Sequence, residues 1–176
     1  MNSFYKSIGL YDSLNLSIEM DGSEFTESLR KITYKTNTTF LSLISDNGIP
    51  TRFEYRGIVN PDHFTIKKRV YFFDFNVIHS VIKGNLSKEN DRTVTTVEFV
   101  PFLPYFLLLI CMMPSMIFIA LQFFKEDENF ILTALPFILL LIQYFGLKRA
   151  IKKDKYDFER ELYFIARKSN HFKSIQ

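Results

Sequence analysis

Three histidines, one cysteine and a few clustered charges are the side chains in this chain with chemistry to offer. His63, His79 and His171 stand far apart, and no HxxxH or HExxH spacing joins them to Cys111. A metal site is not expected, because zinc needs three or four nitrogen, sulfur or carboxylate ligands brought together. No GxSxG elbow, phosphate-binding loop or dinucleotide-binding glycine pattern occurs. Serines are plentiful, but none stands in a triad setting. Asp154 and Asp157 lie beside Lys153 and Arg160, and at helical spacing they read as ion-pair partners of those bases. What remains is the chemistry of charge. Lys67, Lys68 and Arg69 form a basic run and are a candidate anion contact. Lys148, Arg149, Lys152, Lys153 and Lys155 form a second cluster. It suits an anionic membrane surface, where each base contributes about 1 kcal/mol. The sequence thus offers no catalytic residue, no cofactor site and no metal site.

The elements that carry these residues follow from periodicity. Leu14, Leu16, Ile18 and Met20 alternate with polar neighbours, which predicts a half-buried strand. Asp21 and Glu24 form a capping pair, and Phe25, Leu29 and Ile32 recur at helical spacing, predicting a helix over about Ser23 to Tyr34. Thr36 to Thr39 reads as a loop, and the short apolar run Phe40 to Ile44 fits either state. Phe53 to Val59 and His63 to Phe73 read as strands around an Asn60-Pro61-Asp62 turn, which leaves His63 solvated. Lys68 interrupts the apolar face of the second of these strands, as a lysine on a sheet edge does. Asp74 to His79 is irregular. Ser80 to Leu86, with Gly84 as a bulge, pairs with Thr93 to Val100 across a polar turn. From Lys148 to Lys168 there is no Pro or Gly, and Phe158, Leu162 and Ile165 form a helical stripe that should cover the open face of the sheet. A break is expected near Ser169-Asn170.

Between sheet and terminal helix lie two long apolar runs, Phe102 to Phe124 and Phe130 to Leu147, separated by Lys125-Glu126-Asp127-Glu128-Asn129. Neither run contains a charged side chain. As helices they would reach about 34 Å and about 27 Å, against a hydrocarbon core of about 30 Å. The sequence therefore predicts a transmembrane hairpin, with the first helix bent at Pro114. The flanking Lys and Arg residues place both termini in the cytoplasm and the short connection outside. The predicted fold class is α+β: a small antiparallel sheet with one N-terminal and one C-terminal helix, interrupted by a two-helix transmembrane hairpin. Residues 1–100 would be a β-α-β-β-β-β domain, 101–147 the hairpin and 148–176 a basic helix on or near the sheet.

Composition narrows the function classes. The net charge of +3 over 176 residues is too small to imply nucleic-acid binding. The single cysteine excludes an internal disulfide and suits a reducing compartment. No ionisable residue lies within the apolar runs, which counts against an ion-coupled carrier.

The pattern of Gly57, Val59, Phe64 and Ile66, then Gly84, Thr95 and Val97, then Pro101, resembles a group of small uncharacterised bacterial two-span membrane proteins with an N-terminal β-rich cytoplasmic domain. Lys68 and Leu86 depart from that group's Arg and Ile. The resemblance implies the architecture and a multi-pass inner-membrane location, and it supplies no activity. The resulting expectation is a non-enzymatic, membrane-anchored binding module whose partners are the bilayer and a protein or a second copy of itself, without nucleic acid. The alternative is a ligand-sensing membrane effector whose hairpin assembles in the bilayer.

Overall fold

In a computed structural model of the protein, residues 2–18, 20–38, 46–70, 79–89, 92–125 and 130–173 are described. The chain runs α1 (Asn2–Ser7), β1 (Asp12–Ile18), α2 (Gly22–Ile32), β2 (Thr33–Lys35), a 3-10 turn (Asp46–Gly48), β3 (Tyr55–Val59), β4 (His63–Lys68), β5 (Ser80–Glu89), β6 (Arg92–Pro101), α3 (Leu103–Lys125) and α4 (Phe130–Lys173). Six strands form one sheet in the order β1-β6-β5-β4-β3-β2. All neighbours are antiparallel except β2 and β3, so the sheet is mixed.

Alternation along the strands decides which face is covered. Tyr55, Phe64, Ile66, Ile82, Val97 and Phe99 share one buried face. The Phe158 ring of α4 meets this face near its centre, with ring centroids 5.9 Å from Tyr55, 5.9 Å from Phe64 and 6.2 Å from Phe99. Phe25 of α2 adds a fifth aromatic, 6.4 Å from Phe64. The stripe Phe158, Leu162 and Ile165 therefore lies on the sheet, as its spacing predicts, and the α2 stripe of Phe25 and Leu29 joins it. Asp21 caps α2 in extended backbone, its carboxylate accepting from the Ser23 N–H at 3.2 Å. Over β1 and the centre of the sheet the opposite face is polar and open: Ser13, Asn15, Ser17, Lys83, Asn85 and Thr96 are exposed.

Two glycines are explained by close approach. A Cβ on Gly57, whose φ is +150°, would lie 2.2 Å from the Thr65 carbonyl oxygen. A Cβ on Gly84 would lie 2.1 Å from the Phe64 ring. Gly84 pairs in continuous register with both Phe64 and Val97. It is not a bulge, and its missing side chain makes room for a core phenylalanine.

The predicted transmembrane hairpin requires correction. Among the described residues no helix is long and apolar enough to cross a membrane. The two apolar runs serve the protein's own packing at their sheet-proximal ends. Phe102, Phe106 and Leu109 are buried, and Tyr5 of α1 packs edge-on against Phe106 at 5.0 Å. The second run does not end at Leu147. It continues as a single helix through the charged segment to Lys173, with Leu147, Ala150 and Ile151 buried and Tyr144 Oη donating to the Ile8 carbonyl at 2.8 Å. The multi-pass inner-membrane location rested on those spans and falls with them. The short connection at 126–129 lies outside the described residues, as do Phe40 to Ile44 and 71–78.

Smaller corrections follow from the same packing. β4 is an interior strand, so Lys68 is not at an edge; its ammonium reaches Asp157 of α4 at 2.6 Å. α4 runs through Ser169-Asn170 without a break. α1 and the three-residue β2 carry too little periodicity to be seen in the sequence.

Candidate functional site

The long helix α4 divides its residues sharply around its axis. Leu147, Ala150, Ile151, Asp154, Phe158 and Leu162 are buried against the rest of the molecule. Directly opposite, Arg149, Lys152, Lys153, Tyr156, Arg160, Tyr163, Phe164 and Arg167 are all exposed. At about 100° per residue these eight fall within about 60° of one line along the helix. The line runs about 27 Å from Arg149 to Arg167. It alternates cations with large aromatics and contains no acid. Tyr156, Tyr163 and Phe164 are 67%, 63% and 57% exposed, values that mark them as unpartnered rings. Toward the helix N-terminus the same line turns apolar, with Ile138, Ile142 and Phe145 exposed.

The acids of α4 stand on its flanks or its buried side, and Asp154 and Asp157 fasten the helix there. Asp154 is fully buried. Its Oδ2 accepts from the Ser80 backbone N–H and from the Ser80 hydroxyl at 2.8 Å, and its Oδ1 accepts from His79 Nδ1 at 3.0 Å. Asp157 pairs with Lys68. Neither makes the expected pair with Lys153 or Arg160. Glu161 is half-buried, and desolvation followed by the charge of Glu54 raises its carboxyl above the usual range. The buried carboxylates thus hold the helix to β4 and β5 and leave positive charge in excess on the outer line. Serine, histidine and aspartate meet at Asp154, but the serine donates to the carboxylate instead of to the histidine. That geometry fastens a helix; it does not activate a nucleophile.

The basic cluster expected from sequence is split by this arrangement. Arg149, Lys152 and Lys153 face outward on the line. Lys155 turns to Asp12 of β1 at 2.7 Å, and Lys148 lies near the Gly9 turn. The other candidate, Lys67, Lys68 and Arg69, is also divided. Lys68 belongs to the α4 face. Arg69 is buried and donates to the backbone carbonyls of Ile49 and Pro50. Lys67 is buried beside Arg56, its register partner on β3, with its ammonium 4.2 Å from the centre of the Phe102 ring.

Sequence reasoning missed Arg56, Tyr156, Tyr163 and Phe164. The last three had a signal: they share a helical phase with the bases, half a turn away from the apolar stripe. Arg56 had none, because a lone arginine in an alternating strand reads as the solvated face. His63 is exposed in the turn, as expected, beside Asp62 and Asn60. Among the described residues no group of histidine, cysteine and carboxylate side chains could hold a metal ion.

No family model, curated protein or solved structure matches this chain. The resemblance to two-span bacterial membrane proteins is therefore corrected on two counts: no match supports it, and among the described residues no helix is long and apolar enough to cross a membrane.

Proposed function

We propose that this protein is a non-enzymatic binding module that docks an acidic polypeptide segment along the outer line of α4. The observation that carries this reading is the exposed row of five cations and three aromatic rings on one helix face, with no acid inside the row. Exposed Tyr and Arg are the side chains that most often dominate binding energy at protein interfaces. Arginine forks match carboxylates in bidentate geometry, and the rings supply contact area at little entropic cost. The apolar continuation at Ile138, Ile142 and Phe145 favours a partner whose acidic stretch leads into an aliphatic one. The modest net charge of +3 argues against a polyanion such as nucleic acid as the partner.

Fluorescence anisotropy with a labelled glutamate–tyrosine copolymer tests the reading. The protein should bind it more tightly than it binds polyglutamate, and binding should weaken as salt rises. The double variant R160E/R167E should lose at least about ten-fold in affinity, and Tyr163→Ala about ten-fold. Equal binding by the variants overturns the proposal. So does tighter binding to a single-stranded oligonucleotide or to phosphatidylserine vesicles.

A further inference from the structure

We infer that a second copy of this chain docks along α3, helix against helix, through an exposed apolar stripe. This surface lies on a different helix from the charged line of α4 and stands on a different observation. Leu103, Leu107, Ile110, Pro114, Ile117 and Leu121 recur alternately four and three residues apart. At about 100° per residue they fall within about 40° of one line along the helix. All six are exposed, Leu107 to 47% and Leu121 to 57%. Phe102, Phe106 and Leu109, the buried residues of α3, stand about a quarter-turn round the helix from that line. The chain's own core therefore does not use the stripe.

The spacing points to the kind of partner. Apolar residues that repeat about every 3.5 positions form a seam for a facing helix, each side chain entering the gap between four others. The area is also sufficient. With the flanking Met113 and Cys111, the stripe exposes on the order of 700 Å² of surface, and two stripes face to face bury on the order of 1,400 Å², within the range of stable interfaces. Charge selects a copy of the same chain as the occupant. α3 holds no acid, and its one base, Lys125, is its last residue. The line on α4 asks for an acidic partner, but this stripe has no charge for a partner to complement. An identical stripe is its own complement, and a two-fold axis lets each copy cover the other's. Homodimer interfaces are accordingly more apolar than those between separate proteins.

Sedimentation equilibrium of the full chain in detergent-free buffer tests the inference. The wild type should dimerise with a Kd at or below about 10 µM. Its urea midpoint should rise with protein concentration, a readout that needs no variant. Leu107→Glu/Ile117→Glu sets two carboxylates in the stripe and should weaken association at least about a hundred-fold, while circular dichroism and a cooperative urea transition show it folded. Leu108→Glu changes a comparably exposed residue about 140° from the stripe and should dimerise within about three-fold of the wild type. Both variants keep the α4 line, so copolymer binding reports on that reading separately. The inference is overturned if the wild type stays monomeric, if Leu107→Glu/Ile117→Glu associates as the wild type does, or if Leu108→Glu dissociates the dimer as fully. A chain that is monomeric without lipid and floats with phosphatidylcholine vesicles overturns it too, and assigns the stripe to lipid.

Discussion

At the scale of single residues, two glycines and one aspartate carry more structural weight than any side chain singled out by type. Gly84 is the clearest case. The Phe64 ring occupies the volume that a Cβ at position 84 would need, and the ring is held from other sides by Phe25 and Phe158. Gly84→Ala forces that ring out of place. Overpacking of this kind costs about 1–3 kcal/mol, to be read as a lower urea midpoint with unchanged slope. Phe64→Leu should recover part of the loss in the double variant, because the smaller side chain vacates the contested space. The coupling term of the double-mutant cycle should then be nonzero and favourable. Additive losses would show that the two positions do not share that space.

At the scale of elements, α4 is fastened at points of different chemistry: Phe158 in the aromatic core, Asp157 on Lys68, and Asp154 on the start of β5. Asp154 holds the most polar of these. Asp154→Ala leaves the Ser80 N–H, the Ser80 hydroxyl and His79 without their common acceptor in a buried place, which should cost about 2–5 kcal/mol. Asp154→Asn keeps one acceptor oxygen and should cost less. Chemical denaturation measures both, and hydrogen exchange should show the loss concentrated where α4 meets β5. Much at this scale was legible in the sequence. The period of two at Leu14 to Ile18, the Asp21 cap and the stripe through Phe158 and Leu162 all lie where their spacing places them. What was not legible has physical causes. Asp157 sits one helical turn from Lys153 and Arg160, and Asp154 is next to Lys153, so closeness in sequence suggests pairs along the helix; residues of strands far off in sequence outcompete those bases. Lys68 looks like an edge residue until its carboxylate partner on α4 is known. The apolar runs at 102–124 and 130–147 show how greasy each segment is, but a composition does not say what covers it. The absence of Pro and Gly from Leu147 to Lys168 did allow the second run and the terminal helix to be continuous, and they form one helix to Lys173.

At the scale of the whole molecule, α4 separates stability from recognition by angle around its own axis. Its inner side holds the sheet together across strands distant in sequence, since β1 pairs with β6 and Lys155 of α4 reaches back to Asp12 of β1. Among the described residues its outer side adds nothing to the buried core, so charges there are dispensable for folding. The double variant R160E/R167E therefore should unfold within about 0.5 kcal/mol of the wild type, as exposed substitutions away from special features do. The same variant should lose most of its affinity for the glutamate–tyrosine copolymer, because two arginine forks become like charges facing the partner's carboxylates. Phe158→Ala should behave in the opposite way. It removes the ring at the centre of the aromatic cluster at a cost of about 3–5 kcal/mol, yet the fraction that remains folded should bind as the wild type does. Measuring unfolding and copolymer binding on both variants tests the division directly. If R160E/R167E destabilises as much as Phe158→Ala, the outer line contributes to the fold, and the row of cations and rings is explained without a partner.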